Sequence, residues 1–396
     1  MAGRSRAARR RAWAAAAAVA AGGGLLAGCA SAQAPAPAPA PPAATAPLAT
    51  SLAQAGGQSW AIVAMGGSAA DDNSFWEVFT RPAGSSQWAL VTPPGVADNG
   101  GLVAAVPLAA RGLDIAVRPS QDLTFSPLAL TGDGGKTWHT GLVDASVAAV
   151  PDALALGGGR VLVLLGDGAI DQAPASAAAW TRFAAPGAIA ASAAGHDCQV
   201  TALTAVSLTA AGTPLVGASC ARPGVAGIFT QAGGSWQATG PSLAGRPAGE
   251  PVKVLRLTAG SGTSGAGTVA LLQAGTGDAA SLLTAWTADG THWSLSSPLP
   301  ANGAQVLSSG AGPGSTAAWV LLAGGRAATV AGPGAAWRSL PAPPHGTAVL
   351  APGPGGALDA LAVSGGSSLT VFRLTPADAW QQTQVISVPV QLGSSS

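Results

Sequence analysis

Carboxylates are the only reactive side chains this chain holds in number: fifteen Asp and two Glu stand beside four His, three Cys and no Tyr. Two carboxylates facing one bond are the basis of glycoside hydrolysis. The one adjacent acidic pair, Asp71-Asp72, sits among Gly, Ser and Asn and reads as a solvated loop. His139, His196, His292 and His345 are scattered rather than spaced as metal ligands. His139 and His292 each adjoin a Trp, which places them on a strand surface. Gly260 to Gly265 fits Gly-x-Gly-x-x-Gly, but a nucleotide fingerprint needs a helix after its glycines, and Thr268 to Gln273 reads as a strand. No Ser stands in Gly-x-Ser-x-Gly, the pattern of a hydrolase nucleophile elbow. These residues therefore give no catalytic site, no metal site and no cofactor, and the expectation is a binding protein.

The elements that would carry a binding surface show in a rhythm of tryptophans. Trp88, Trp138, Trp180, Trp236, Trp293, Trp337 and Trp380 each follow a turn and open a short strand, at intervals of 50, 42, 56, 57, 44 and 43 residues. The mean, about 49, is the length of one four-stranded propeller blade. Gly and Pro recur every few residues, and segments such as Arg160 to Leu165 and Val252 to Leu257 have strand length. The fold class expected is all-β, a propeller of seven blades with four antiparallel strands each, with six or eight blades as alternatives. Blade one looks one strand short, and Val385 to Leu392 is the candidate to complete it as a clasp, although Pro389 suits only an outer or interrupted strand. Trp60, Trp76, Trp286 and Trp319 fall outside the series and read as strand core, with a binding role as the alternative.

The turn Thr131-Gly132-Asp133-Gly134-Gly135-Lys136-Thr137-Trp138 resembles the Asp box, or bacterial neuraminidase repeat, Ser/Thr-x-Asp-x-Gly-x-Thr-Trp, at every defined position. Thr287-Ala288-Asp289-Gly290-Thr291-His292-Trp293 is a shorter copy. The resemblance implies that each box turns between the third and fourth strands of a blade and that the structural residues are Thr131, Asp133, Gly135, Thr137 and Trp138, with Asp289, Gly290 and Trp293 in the second copy. It also brings sialidase chemistry to mind. That mechanism uses a Tyr nucleophile, and this chain has none. A carbohydrate-active enzyme of another mechanism, or a glycan-binding remnant of one, is the second reading.

The N-terminus supplies an address. Arg4, Arg6, Arg9, Arg10 and Arg11 precede an apolar stretch from Ala12 to Leu26, too short at about 15 residues for a membrane span of roughly 20. Leu26-Ala27-Gly28-Cys29 resembles the bacterial lipobox, which implies a lipid on Cys29 and cleavage just before it. Arg10-Arg11 leaves twin-arginine export open. The expected domains are a lipoprotein signal peptide (1–28), a Pro/Ala-rich tether (29–54), the propeller (55–392) and a short tail (393–396). Pro lacks an N–H and favours extended backbone, so the run Ala34 to Pro42 reads as a stiff spacer.

Beyond the signal, 13 basic residues meet 17 acidic ones, a net charge of −4. That balance argues against nucleic-acid binding and against electrostatic binding to anionic lipid. Lipidation of Cys29 would leave Cys198 and Cys220 as a pair in an oxidising compartment. A hairpin turning near Ala210 to Thr213 sets Cys220 closer to Leu203, so a disulfide requires a bulge or a loop before the first strand; two buried thiols are the alternative. Sixteen Arg against two Lys, with abundant Ala and Gly, point to an actinobacterial envelope. The expected protein is a monomer, lipid-anchored on the outer side of the cell membrane, with a protein or glycan ligand.

Overall fold

The computed structural model describes residues 48–387 apart from 56–57, 66–74, 83, 95–102, 108–112, 118–123, 149, 177–178, 210, 244–249, 260–266, 312–317, 354–355 and 364–367. Among the described residues, all strands but Leu299–Pro300 fall into seven consecutive groups of four, each paired antiparallel in chain order. Blade one is Leu48–Ala55, Gln58–Met65, Phe75–Arg81 and Ala89–Leu90. Blades four and five are joined where Ser219 and Cys220 pair with Lys253 and Val252. Among the described residues the named helices are Ala193–Cys198 and the single turn Gly277–Ala279.

The first strands of the blades are Leu48–Ala55, Val103–Pro107, Leu154–Gly157, Val200–Leu208, Val252–Ala259, Val306–Ala311 and Thr347–Pro352. They lie side by side in that order, and the first strand of blade seven lies against that of blade one, which closes the ring. Their neighbours are the most buried: Val161 to Leu164 in blade three and Ala318 to Leu322 in blade six are wholly buried second strands. Fourth strands are largely exposed and in six blades have five residues or fewer, as in Ala89–Leu90 and Arg338–Ser339, which limits the free edge those blades present.

Two expectations are corrected. Blade one is not a strand short, because Leu48–Ala55 pairs with Gln58–Met65 and supplies its inner strand. The last proline of the spacer is Pro47, and the ladder begins at the next residue; residues 48–54, expected in the tether, are strand. Blade one therefore needs no clasp, and among the described residues none forms. Trp380–Ser387 is the fourth strand of blade seven, paired with Ser368–Leu374, while Pro389 and the tail lie outside the described residues.

Five of the seven repeat tryptophans make a direct contact with the blade before their own. Trp138 donates Nε1–H to the Val91 carbonyl at 2.9 Å and meets the Trp60 ring edge-on at 6.4 Å. Trp293 donates to Thr239 O at 2.6 Å and Trp380 to Pro341 O at 3.0 Å. Trp236 stands edge-on to Phe183, 5.8 Å between ring centres. Trp180 packs on a core cluster shared by blades two, three and four, and Trp337 on one shared by blades five and six. Trp88 closes the circle by donating to Gln384 Oε1 of blade seven at 3.0 Å. Trp88, Trp138, Trp293 and Trp380 thus combine a large apolar area with one polar anchor, whereas Trp180 and Trp337 bury Nε1 without a hydrogen-bond partner and hold by packing. Trp60, Trp286 and Trp319 are buried core; the Trp76 side chain lies outside the described residues.

Candidate functional site

Antiparallel order gives the ring two distinct faces. Turns joining strands one to two and three to four lie on one face, and turns joining two to three, with links between blades, lie on the other. The Thr131–Trp138 and Thr287–Trp293 turns therefore occupy the first face. On the second face a groove of about 540 Å³ opens between Ser146–Val150, the turn Leu165–Gly168, the link Gly187–Ala190 and the start of blade four at Val200–Leu203. A groove of this size falls in the usual range of ligand sites, roughly 300–1,000 Å³. Leu48 begins and Ser387 ends a strand on that same face.

The groove walls are fixed by local bonds. Gly166 N–H donates to Ser146 O at 2.8 Å and Ala148 N–H to Leu164 O at 2.9 Å. Asp167 Oδ1 accepts from Ala169 N–H at 2.8 Å, while the residue as a whole is exposed. Cys198 and Cys220 are joined, with Cα atoms 5.1 Å apart, and tie the helix Ala193–Cys198 to the second strand of blade four. The register problem of the hairpin is solved twice over. Its pairing shifts at Thr201 and again at Thr204, which brings Val200 opposite Cys220, and the helix folds Cys198 back alongside. Ser192 caps that helix, its Oγ accepting from Gly195 N–H at 3.0 Å.

Behind the groove the wall is anchored by an ion pair invisible in the sequence. Asp152 Oδ1 lies 2.9 Å from Arg256 Nη2, Asp152 Oδ2 accepts from Leu257 N–H at 2.8 Å, and Arg256 Nη1 donates to Ser309 O at 2.8 Å. Three inner-strand regions are thus pinned by one pair. Burial pushes the Asp152 carboxyl up from its ordinary value against the pull of Arg256.

In the other face, Asp133 Oδ1 accepts from the amides of Lys136 and Thr137 at 3.0 Å each, and its Oδ2 from Thr137 Oγ at 2.6 Å. Thr131 Oγ accepts from Gly135 N–H at 3.0 Å and donates to Asp133 Oδ1 at 2.9 Å. Hydrogen bonds from Thr137 hold Asp133 well below the usual carboxylate range. Asp289 repeats the pattern, accepting from the Thr291 and His292 amides at 2.8 Å, with Gly290 N–H on Thr287 Oγ at 2.9 Å. These residues are occupied in closing turns.

The His292 ring lies 2.6 Å from Asp289 Oδ2, and this hydrogen bond raises its pKa above 6.5. The resulting stabilisation is complete below pH 6.5 and is lost as pH rises through the raised value. An NMR titration should place His292 above 6.5, and Asp289→Asn should return it to about that reference value. An unchanged midpoint in the variant would remove Asp289 as the cause.

Asp171, Asp152, Asp359, Asp378 and Asp197 each face an Arg, and Asp289 faces His292. Asp359 is held by both Nε and Nη2 of Arg373 at 2.8 Å. Among the described residues no three His, Cys, Asp or Glu come together as metal ligands. Cys29, Asp71-Asp72 and Gly260 to Gly265 lie outside the described residues.

No protein-family model and no curated protein matches the chain. Among solved structures, the GH74 xyloglucanase of Xanthomonas campestris superposes with a TM-score of 0.58 at 17% identity, over 85% of this chain and 54% of the enzyme. The chain thus spans about half the length of that protein. The β-propeller domain of Cps50 (Swd1) from Myceliophteria thermophila gives 0.51 at 15% identity, over 80% of this chain and 93% of that one. The fold is a β-propeller. An enzyme and a propeller domain of another kind share this scaffold, so the likeness carries architecture and no chemistry. The groove of this propeller was beyond sequence reasoning, since its four short segments carry no motif.

Proposed function

We propose that this propeller is a non-catalytic binding module of the cell envelope, tethered by a lipid on Cys29, that takes a protein or glycan ligand in the groove between Ser146–Val150 and Val200–Leu203. The groove itself carries this reading. It is a preformed concavity of about 540 Å³ whose lining contains one carboxylate, Asp167, and no second acid to work against it. Glycoside hydrolysis requires two, and elsewhere five carboxylates are paired with Arg and a sixth with His292.

Two arms of one cell experiment test this. A photo-crosslinking amino acid at Ala202, in the groove, should give a discrete adduct, whereas the same group at Thr137 on the opposite face should not. Adducts from Thr137 alone, or from neither position, would reject the groove. Cys29→Ser should move the protein from the membrane to the soluble fraction, and an unchanged membrane fraction would reject the anchor.

A further inference from the structure

The groove contains a strand edge that is only partly used. Val200–Leu208 pairs along one side with Pro214–Cys220. Along the other, Asp152 forms a single parallel bridge with Ala205, and Asp152 O accepts from Val206 N–H at 2.7 Å. Toward the groove the chain carrying Asp152 turns away, and among the described residues no strand takes up the side of Val200–Leu203 that faces it. Those four residues line the groove, with Thr201 and Ala202 exposed. The pairing shifts at Thr201 and Thr204 are bulges, which commonly re-aim or end pairing beside functional sites.

We infer that an extended segment of a partner protein adds to this edge as a short strand, placing alternate apolar side chains in the groove and one Lys or Arg at Asp167. The inference rests on the reading of the groove as the binding surface and names its ligand. Four residues of edge span about 13 Å at roughly 3.3 Å per residue, room for three or four residues of an incoming chain. Strand addition draws affinity from main-chain bonds and specificity from pockets for alternate side chains. Here the partly exposed Val150, Ala190, Val200 and Leu203 supply apolar wall, while Gly166, Gly168 and Gly187 leave backbone open to close approach. Asp167 is the single charged lining residue, with no basic residue beside it. A cation is therefore complemented, and an acidic ligand meets only like charge. A sugar would find no aromatic face on which to stack, because no aromatic residue lines the groove.

The probe is a positional library of acetylated, amidated tetrapeptides, screened against the full-length chain in detergent micelles, with cellotetraose as the glycan comparison. Selection of Lys or Arg at one position and of apolar residues in alternation is expected. N-methylation of one backbone amide in the best peptide should weaken binding about three- to tenfold. Asp167→Asn keeps the acceptor for Ala169 and should reduce the preference for Lys over Gln about two- to fivefold. Hydrogen exchange should slow at residues 200–203 when the peptide binds. No binder in the library, selection of acidic residues, indifference to N-methylation, or cellotetraose protecting the same residues would each overturn the inference. Concentration-dependent protection without peptide would assign the edge to a second copy and also overturn it. If the library fails while crosslinking from Ala202 persists in cells, strand addition is rejected and the groove remains the binding surface.

Discussion

Arg256→Ala is expected to cost about 3 kcal/mol of folding stability, read as a lower urea midpoint with an unchanged slope. Removing one partner of a buried pair strands the other charge, at roughly 3–5 kcal/mol. The lower end applies because the Arg256 side chain keeps 28% exposure against 12% for Asp152. The penalty is electrostatic and has a pH signature. With Arg256 gone, the force that lowers the Asp152 pKa is lost and burial raises it further. A carboxyl whose folded pKa is raised holds its proton longest in the folded state, so its favourable contribution exists at low pH and fades as pH rises through that value. The variant should thus lose less at pH 4 than at pH 8. A combined Asp152→Asn, Arg256→Met chain leaves no unpaired ion and should recover much of the loss. A deficit independent of pH and undiminished in the double variant would show that Arg256 acts through packing alone.

The ring was largely legible because its plugs are large, rare residues in turns. Trp138 and Trp293 sit in turns that hydrogen-bond alike, and the other five tryptophans keep the spacing although none of their turns holds an Asp at the box position, Asp378 standing only two residues before Trp380. Leu48–Ala55 escaped notice because it follows a proline run directly and offers only Leu48 and Leu52 among small and polar residues, a weak strand signal whose partner decides the outcome. Tertiary pairing also hid the Asp152–Arg256 link, since each residue alone looks like an ordinary surface charge. The groove is least legible of all. Its walls are mostly small and aliphatic residues, with Asp167 the one charge, from four separate segments, and what distinguishes them is an open strand edge created by bulges, a property of register with no residue signature.

Breaking the Cys198–Cys220 link should have the second large effect, and one that reaches the groove. Its 22-residue separation gives an unfolded-state entropy contribution of about 3 kcal/mol in the loop-closure model, so Cys198→Ala with Cys220→Ala is expected to lose that order of stability. The native side adds a packing element. Both sulfurs lie over Gly227, where an added Cβ would come within 2.7 Å of Cys220 Sγ and 3.0 Å of Cys198 Sγ, so two alanines in their place leave a small void rather than a repacked wall. The bond also joins the helix Ala193–Cys198 to blade four, and this helix separates two groove segments, Gly187–Ala190 and Val200–Leu203. Hydrogen exchange should therefore quicken at 187–203 well before global unfolding, while the blade-seven strands Leu358–Val363 and Ser368–Leu374 keep their protection. Equal acceleration in both regions would mean that the disulfide stabilises the ring as a whole and does not hold the groove wall. Alkylation of both thiols in the denatured, unreduced chain would show that the pair is two buried cysteines and that the groove wall is held without a disulfide.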